Sequence, residues 1–240
     1  MSQKKFKRHE KKYLITQKQY HELLDVLCQY MTPDKYHLST IRNIYYDTDD
    51  YYMIRHSIEK PIYKEKIRIR SYRTVDSSKN VFVELKKKYN GIVYKSREEM
   101  PYQTACDFLD KKVKPFNTQI INEISYVLDY YKVLKPRIYI SYKREAFLGK
   151  EDKNFRITFD TDIQWRDYDI DLTKEPYGYQ ILDDKYILME VKTIMGLPRW
   201  LLDFLGYNQI YKQSFSKYGN AYKQLIAKKK EEKQYTEMIK

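Results

Sequence analysis

The decapeptide YKEKIRIRSY constrains the fold of this chain more than any other stretch. When it is read with a period of two, Ile67 and Ile69 lie on one face, and Lys66, Arg68 and Arg70 lie on the other. This alternation predicts a half-buried β-strand. Neighbouring like charges repel, so a face that carries only cations is suited to a polyanion. A basic strand that simply faces water is the alternative, and one strand alone does not decide between the two.

The same pattern returns in the next part of the chain. Residues 80–88 alternate between apolar and polar positions, and the return strand, residues 92–100, does the same after a turn. Asn90-Gly91 between them is a strong signal for a β-hairpin. The charged side chains that these two strands add to one face are Glu84, Lys86, Lys88, Lys95, Arg97 and Glu99.

Alternation and helical periodicity predict the remaining elements. Further strands are predicted at residues 6–15, 38–46, 137–147, 154–162 and 187–193. Helices are predicted at residues 16–30, 51–57, 102–111, 119–131 and 198–204, with a last helix after residue 218. We expect one domain over residues 6–227, followed by a charged tail, residues 228–240, that frays.

Charge and motifs narrow the class of partner. The chain has 46 Lys and Arg against 33 Asp and Glu, a net charge of +13, which favours an anionic partner. There is neither a Walker-type sequence nor a Gly-x-Gly-x-x-Gly sequence, so any phosphate would be bound by side chains. The 27 tyrosines could stack on bases, but the preference of tyrosine for β-strands explains them more simply.

Cysteine usage and hydropathy predict the compartment. Cys28 and Cys106 lie in predicted helices, and we expect two free, buried thiols in a reducing environment. No apolar run approaches the roughly 20 residues that a transmembrane helix needs. The sequence therefore predicts a soluble, cytoplasmic protein.

About eight strands, each with one apolar and one charged face, predict an α+β fold. An open sheet with its charged face in water fits this pattern. A closed antiparallel β-tunnel fits it too, since closure removes the sheet edges and turns the charged faces into a lumen, with helices packed outside. A lumen of cations is unfavourable alone, but a phosphate chain would neutralise it, and arginine matches phosphate oxygens well.

Three glutamates lie among these cations, namely Glu190, Glu84 and Glu10. They could serve only to balance Lys and Arg. Alternatively they could hold a divalent metal, because Mg²⁺ is commonly bound through one or two carboxylates together with substrate phosphates.

Taken in order, several short motifs resemble the VTC-type polyphosphate polymerase domain of the triphosphate tunnel metalloenzyme (CYTH-like) superfamily. The resemblance extends from about Phe6 to Ala227. The matching motifs begin at Arg8, Arg68, Phe82, Lys95, Tyr142, Arg156, Met189 and Phe215. One position departs from the family pattern, since Ser214 stands where the family has a lysine.

The resemblance implies a basic tunnel that holds a nucleotide triphosphate and a growing phosphate chain, and a role for individual residues. The residues that resemble catalytic ones are Arg68, Arg70, Lys86, Arg144, Lys192 and Lys217. Those that resemble phosphate-binding residues are Lys12, Lys95, Arg97, Arg156, Ser216 and Tyr142. Glu190 resembles the glutamate that binds Mn²⁺ or Mg²⁺, and Glu84 and Glu10 are further candidate ligands.

The expected function is ATP-dependent polyphosphate synthesis, with ATP and inorganic polyphosphate as ligands and without nucleic acid. A tunnel triphosphatase that uses water as nucleophile is the alternative, although it would need more carboxylates. A non-catalytic binder of polyphosphate or RNA is a third reading, but an RNA surface would carry more aromatic residues among its cations. The chain itself is expected to carry no membrane span, while a membrane-protein partner is compatible with this role.

Overall fold

The computed structural model describes residues 9–76 and 78–238. These residues form nine strands and six helices, so the predicted α+β class is confirmed. The strands are β1 (His9–Thr16), β2 (Met31–Asp47), β3 (Tyr63–Ser71), β4 (Asn80–Tyr89), β5 (Ile92–Pro101), β6 (Lys135–Gly149), β7 (Arg156–Arg166), β8 (Tyr179–Gln180) and β9 (Tyr186–Thr193). The helices are α1 (Gln17–Tyr30), α2 (Tyr52–Ile58), α3 (Tyr102–Lys111), α4 (Gln119–Tyr131), α5 (Arg199–Tyr207) and α6 (Lys217–Met238).

The strands follow the order β1-β9-β7-β6-β2-β3-β4-β5, and β8 pairs with β7. The pairs β1–β9, β9–β7, β7–β8, β2–β3, β3–β4 and β4–β5 are all antiparallel. The sequence did not predict β8, because two residues are too few to show a period.

The chain divides into two compact units. The first unit contains residues 9–40, 142–163 and 182–215, and the second contains the other described residues, from 41–141, 164–181 and 216–238. Strands β2, β6 and β7 contribute residues to each unit.

The first unit is built on β1, β9 and β7. Helix α1 begins with a capping box, in which the Thr16 hydroxyl accepts a hydrogen bond from the Gln19 backbone and the Gln19 side chain accepts one from the Thr16 backbone. The buried face of α1, with Leu23 and Leu27, belongs to the core of this unit. Other members of that core come from the apolar faces of the strands, including Ile15, Ile157, Phe159, Met189 and Val191.

The second unit is built on β2, β3, β4 and β5. Asn90 and Gly91 form the turn between β4 and β5 with φ angles of 44° and 82°, as the Asn-Gly signal predicted. The apolar faces of β3 and β4 are fully buried against α3 and α4, and this packing leaves the polar faces of the strands for other contacts. The core residues from these two strands are Ile67, Ile69, Val81, Val83 and Leu85.

Three expectations need correction or fall outside the described residues. Cys28 is a free thiol but is exposed, since it lies off the buried Leu23 and Leu27 face of α1. The charged run from Lys228 is helical in the structure, since α6 continues as far as Met238, and Glu–Lys pairs four residues apart support it there. Phe6 and Arg8 at the predicted start, and residues 239–240 of the tail, lie outside the described residues.

No helix within residues 9–76 and 78–238 combines the length and the apolar character that a membrane span requires.

Candidate functional site

In the second unit, the register of β3, β4 and β5 lines up the charged side chains in rows across the strands. Each row contains one residue from each strand. The rows are Lys66–Lys86–Lys95 and Arg68–Glu84–Arg97. Ile67 and Ile69 are completely buried on the opposite face of β3, as their alternation predicted. We call the charged side chains of these two rows, together with Arg70, the β3–β5 cation face.

Glu84 holds this face together. Its side chain is 1% exposed. Arg68 Nη2 lies 2.6 Å from Glu84 Oε2, Lys95 Nζ lies 2.7 Å from Oε1, and Arg70 Nε lies 3.8 Å from Oε2. Burial alone would raise the pKa of Glu84, but Arg68, Arg70 and Lys95 outweigh it and hold that pKa well below its usual range. One carboxylate thus serves three cations, and net positive charge remains.

Lys95 differs from the other cations of this face in its titration. Loss of water around the ammonium group lowers the pKa of Lys95 to about 8, and Arg68 and Arg70 add to this effect. Glu84 acts in the opposite direction but does not outweigh them. Lys95 therefore changes its charge near physiological pH, whereas an arginine at this position would not.

Two residues of β2 orient the arginines, and the sequence analysis missed both. The Arg68 Nη1 group donates to the Tyr45 hydroxyl at 2.8 Å, and Arg70 Nε donates to Asn43 Oδ1 at 2.9 Å. Asn43 in turn donates to the carbonyl of Ile140. Asn43 and Tyr45 alternate with the buried Ile44, a period-two signal that could have identified them as members of the polar face.

Residues at the start of α6 contact side chains of the β3–β5 cation face and of the neighbouring β2. Tyr218 stacks on Tyr45 with ring centroids 4.5 Å apart and donates to the buried carboxylate of Asp47 at 2.8 Å. The preceding Ser216 hydroxyl accepts a weak hydrogen bond from Lys66 Nζ at 3.4 Å. Burial alone would raise the pKa of Tyr45, but Arg68, Arg70 and, to a smaller extent, Lys217 lower it. Ser216 and Lys217 thus lie close to the predicted β3 cations.

In the first unit, β1, β9 and β7 form a second set of charged rows, which we call the β9 cluster. The rows are Lys12–Glu190–Thr158 and Glu10–Lys192–Arg156. Arg144 and Asp160 complete it. Lys12 Nζ lies 3.3 Å from Glu190 Oε1, 3.4 Å from Glu10 Oε1 and 2.9 Å from the carbonyl of Phe215.

Arg144 is the most firmly held cation of this cluster. It donates to both oxygens of Asp160, at 2.5 and 2.6 Å, and to Glu190 Oε2 at 3.0 Å. Burial alone would lower the pKa of Arg144, but Asp160 and Glu190 outweigh it and raise that pKa well above its usual value. Asp160 was not assigned a role from the sequence, although it alternates with Arg156 and Thr158 on the polar face of β7.

The other residues that were predicted to bind phosphate in this cluster are also placed near charged groups. Arg156 forms an ion pair with Asp34 at 2.8 Å, and the Arg144 guanidinium lies 5.2 Å from the centre of the Tyr142 ring. Burial lowers the pKa of Lys192 to about 8, with Glu190 opposing the effect.

The carboxylates of the two units differ in their suitability for a metal. Glu10 and Glu190 converge on the same ammonium group of Lys12, so two carboxylates already surround one cation position. This donor set fits a divalent ion that takes its remaining ligands from substrate phosphates. Glu84 is surrounded by three cations instead, and its contacts favour charge balance. No group of three or more His, Cys, Asp and Glu side chains within the described ranges could hold a metal by itself.

A family model described as the VTC domain matches residues 7–226. No curated protein matches the sequence. Among solved structures, a candidate adenylate cyclase of Bacillus halodurans has 14% identity and a TM-score of 0.53, with 88% of this chain and 95% of that chain covered. At this identity the likeness concerns the fold alone.

Two further solved structures are more distant. A candidate adenylate cyclase of Vibrio parahaemolyticus is 11% identical, with a TM-score of 0.46, and 92% of this chain and 99% of that chain are covered. The PH1819 protein of Pyrococcus horikoshii is 13% identical, with a TM-score of 0.40 and the same two shares of coverage.

Glu84→Gln is expected to destabilise the protein by up to about 3–5 kcal/mol at pH 7, because it leaves the buried Arg70, the partly exposed Arg68 and the exposed Lys95 without their carboxylate. The depressed pKa means that Glu84 stabilises the fold above its ordinary pKa of about 4.3 and that this contribution is lost as the pH falls further. The difference in the free energy of unfolding between the wild type and Glu84→Gln should therefore be smaller in acid. Urea unfolding at pH 7 and pH 3 measures it.

The control is Glu99→Gln on β5, which removes an exposed carboxylate that accepts a hydrogen bond from Asn80. It should change the free energy of unfolding by less than about 0.5 kcal/mol. Equal effects of the two substitutions would contradict the central role of Glu84.

Proposed function

The chain belongs to the VTC domain family, and we propose that it is a metal-dependent polyphosphate polymerase that transfers the γ-phosphate of ATP to a growing inorganic polyphosphate chain. The single observation that supports this most strongly is the β3–β5 cation face, where Glu84 leaves positive charge unbalanced. Such a face is suited to the non-bridging oxygens of a triphosphate. The membership confirms the resemblance that the sequence motifs indicated.

The proposal includes the finer architecture that the family implies. Residues 6–227 act as one domain, and the antiparallel sheet closes into a tunnel with a basic lumen. Residues 228–240 are not required for catalysis. The cytoplasmic location and a membrane-protein partner remain predictions.

Arginines and lysines do most of the binding in this scheme. Arg68, Arg70, Lys86 and Arg144 clamp the triphosphate, while Lys192 and Lys217 stabilise the transferring group. The side chains that bind the remaining phosphates are Lys12, Lys95, Arg97, Arg156, Ser216 and Tyr142. Because Asn43, Tyr45, Glu84 and Asp160 fix the orientation of the arginines before substrate arrives, little reorganisation is needed during the reaction.

The reaction is an in-line displacement. A terminal oxygen of the polyphosphate chain forms a bond to the γ-phosphorus as the bond to the β,γ-bridging oxygen breaks, and ADP leaves with that electron pair. The attacking phosphate is already ionised at neutral pH, so no general base is required. Catalysis then consists of positioning and charge neutralisation, which is typical of phosphoryl transfer.

Glu190, with Glu10, would hold Mn²⁺ or Mg²⁺ in this scheme, and the ion would supply additional charge neutralisation at the phosphate oxygens. Arg144 fixes one oxygen of Glu190 by its hydrogen bond, and Lys12 draws Glu10 and Glu190 toward one position. These contacts orient the two carboxylates whatever ion is used.

The test is a product assay with purified protein, ATP, Mn²⁺ and a short polyphosphate primer, resolved on a gel. Growing chains with stoichiometric ADP are expected. Lys86→Ala should slow growth by about tenfold, equivalent to about 1.4 kcal/mol, because Lys86 is an exposed cation of the cation face whose removal leaves the core intact. Lys230→Ala, on the exposed part of α6, is the matched control.

Orthophosphate release without chain growth would instead favour a tunnel triphosphatase. The absence of any turnover, with tight polyphosphate binding, would leave a non-catalytic binding protein.

Glu190→Gln distinguishes an enzyme from a binding protein. It removes the charge of the proposed metal ligand while Arg144 keeps both bonds to Asp160. Turnover should fall by at least about 100-fold, and polyphosphate should still bind within about threefold of wild type, in a filter-binding assay. Glu151→Gln, an exposed change in the same unit, should alter neither. Unchanged turnover in Glu190→Gln would contradict the metal assignment.

Lys95 predicts a pH dependence of binding. Because its pKa is about 8, most Lys95 side chains are charged at pH 7 and neutral at pH 9. Tripolyphosphate should therefore bind up to about tenfold more weakly at pH 9 than at pH 7. Isothermal titration calorimetry at the two pH values measures this change in affinity. Lys95→Arg keeps its charge at pH 9, so its affinity for tripolyphosphate should change less. Parallel pH profiles for the two proteins would rule out this role of Lys95.

A further inference from the structure

One end of the β3–β4–β5 sheet presents apolar side chains to solvent. The turn between β4 and β5 lies there, and Tyr63, Tyr89 and Ile92 form one row across the three strands. The Asn90 backbone N–H donates to the carbonyl of Ile62 at 3.0 Å, which brings the segment before β3 against the turn. We call this end of the sheet the hairpin tip.

The hairpin tip is unusually apolar for an exposed turn. Ile62 is 71% exposed, more than any other large apolar residue of the tip. The exposed large apolar and aromatic side chains of the tip are Ile62, Tyr63, Tyr89, Ile92, Val93 and Tyr94. An apolar cluster of this kind on a protein surface usually marks an interaction site.

Lysines surround these apolar side chains. Lys64 lies directly opposite Lys88 in the β3–β4 register and donates to the carbonyl of Ser57 at 3.0 Å. Burial and then the nearby lysines Lys88, Lys60 and Lys86 lower the pKa of Lys64. Within the described part of the chain, no carboxylate forms an ion pair with Lys60, Lys64 or Lys88. The tip therefore combines apolar side chains with positive charge that the protein does not neutralise.

We propose that the hairpin tip docks onto the surface of an anionic lipid bilayer. Ile62, Ile92 and Val93 enter the boundary between headgroups and acyl chains, and the tyrosines lie at headgroup level, where amphipathic rings are favoured. Lys60, Lys64 and Lys88 contact anionic headgroups, each contributing roughly 1 kcal/mol, or about fivefold in affinity.

Charge and chemistry favour this occupant over two others. A second copy would bring the same lysines against these lysines, and the two tips would repel. A phosphate chain would satisfy the lysines but would gain nothing from the exposed isoleucines and valine. A bilayer of anionic lipid satisfies both features. The proposal does not depend on the enzymatic activity, because none of these side chains is assigned to the reaction.

The experiment is sedimentation of the full chain with vesicles of phosphatidylcholine, with or without 30 mol% phosphatidylglycerol as a probe. The wild type should bind the anionic vesicles and not the neutral ones. A triple variant, Ile62→Ser, Ile92→Ser and Val93→Ser, should bind at least about tenfold more weakly. A second triple variant, Lys60→Gln, Lys64→Gln and Lys88→Gln, should lose binding to a similar or greater extent.

The matched control is Met195→Ser, Tyr207→Ser and Tyr211→Ser, which removes three exposed apolar side chains from another surface and should bind like the wild type. Circular dichroism checks that every variant is folded.

Three outcomes would overturn the proposal. The first is a wild type that binds neither vesicle, which would leave the tip to an acidic protein. The second is undiminished binding by the folded serine variant with loss by the lysine variant, which would make the tip a site for phosphate groups alone. The third is a change of oligomeric state in the serine variant without a change in vesicle binding, which would identify a second copy as the occupant.

Discussion

The contact between one buried carboxylate and three cations determines how the second unit can exist before any ligand arrives. Without Glu84, Arg68, Arg70 and Lys95 would repel one another, and water would screen the buried Arg70 least. With a carboxylate for each cation, the face would be neutral and would not attract a polyanion. A single Glu84 lies between these limits. It reduces the repulsion among the three cations and leaves the remaining positive charge for a ligand to neutralise.

In the β9 cluster of the first unit, carboxylates also offset the charge of cations, but they are more numerous. Glu190 bridges Lys12 and Arg144, and Asp160 takes the guanidinium of Arg144 through two bonds. Carboxylates are more frequent here, and two of them, Glu10 and Glu190, point at one cation position. The difference follows from the proposed chemistry, because a metal ion requires carboxylates that are close together, whereas phosphate alone requires cations. Unequal ratios of acids to bases thus indicate unequal tasks for the two clusters.

The period-two alternation predicted every strand except the two-residue β8, and it predicted the polar face of most of them, since it depends only on local backbone geometry. It did not predict which residues meet, because the register between strands depends on the whole sheet. Glu84 was identified as a candidate but not as the partner of three cations at once. The Tyr218–Asp47 hydrogen bond joins residues 171 positions apart, and no local sequence pattern predicts such a contact. Asp160 was on the predicted polar face of its strand, but a charged residue there is usually solvated. No polar face was predicted for the strand that carries Asn43 and Tyr45.

The lysines of the two proposed ligand sites and those of the hairpin tip differ in whether a carboxylate contacts them. This difference suits the two surfaces to different anionic partners. Lys12 and Lys95 are held at defined positions by carboxylates, which gives them direction and suits them to a ligand whose atoms must be placed accurately. Lys60, Lys64 and Lys88 form no ion pair with a carboxylate of residues 9–76 and 78–238, although Lys64 donates to the carbonyl of Ser57, and they lie close to the apolar side chains of the hairpin tip. Positive charge that no carboxylate neutralises suits a partner that is itself a surface with mobile anions. Because Lys64 and Lys88 lie on β3 and β4, the strands that also carry Arg68 and Glu84, a bilayer at the hairpin tip would position the cation face at a fixed distance from the membrane, set by the length of strand between them.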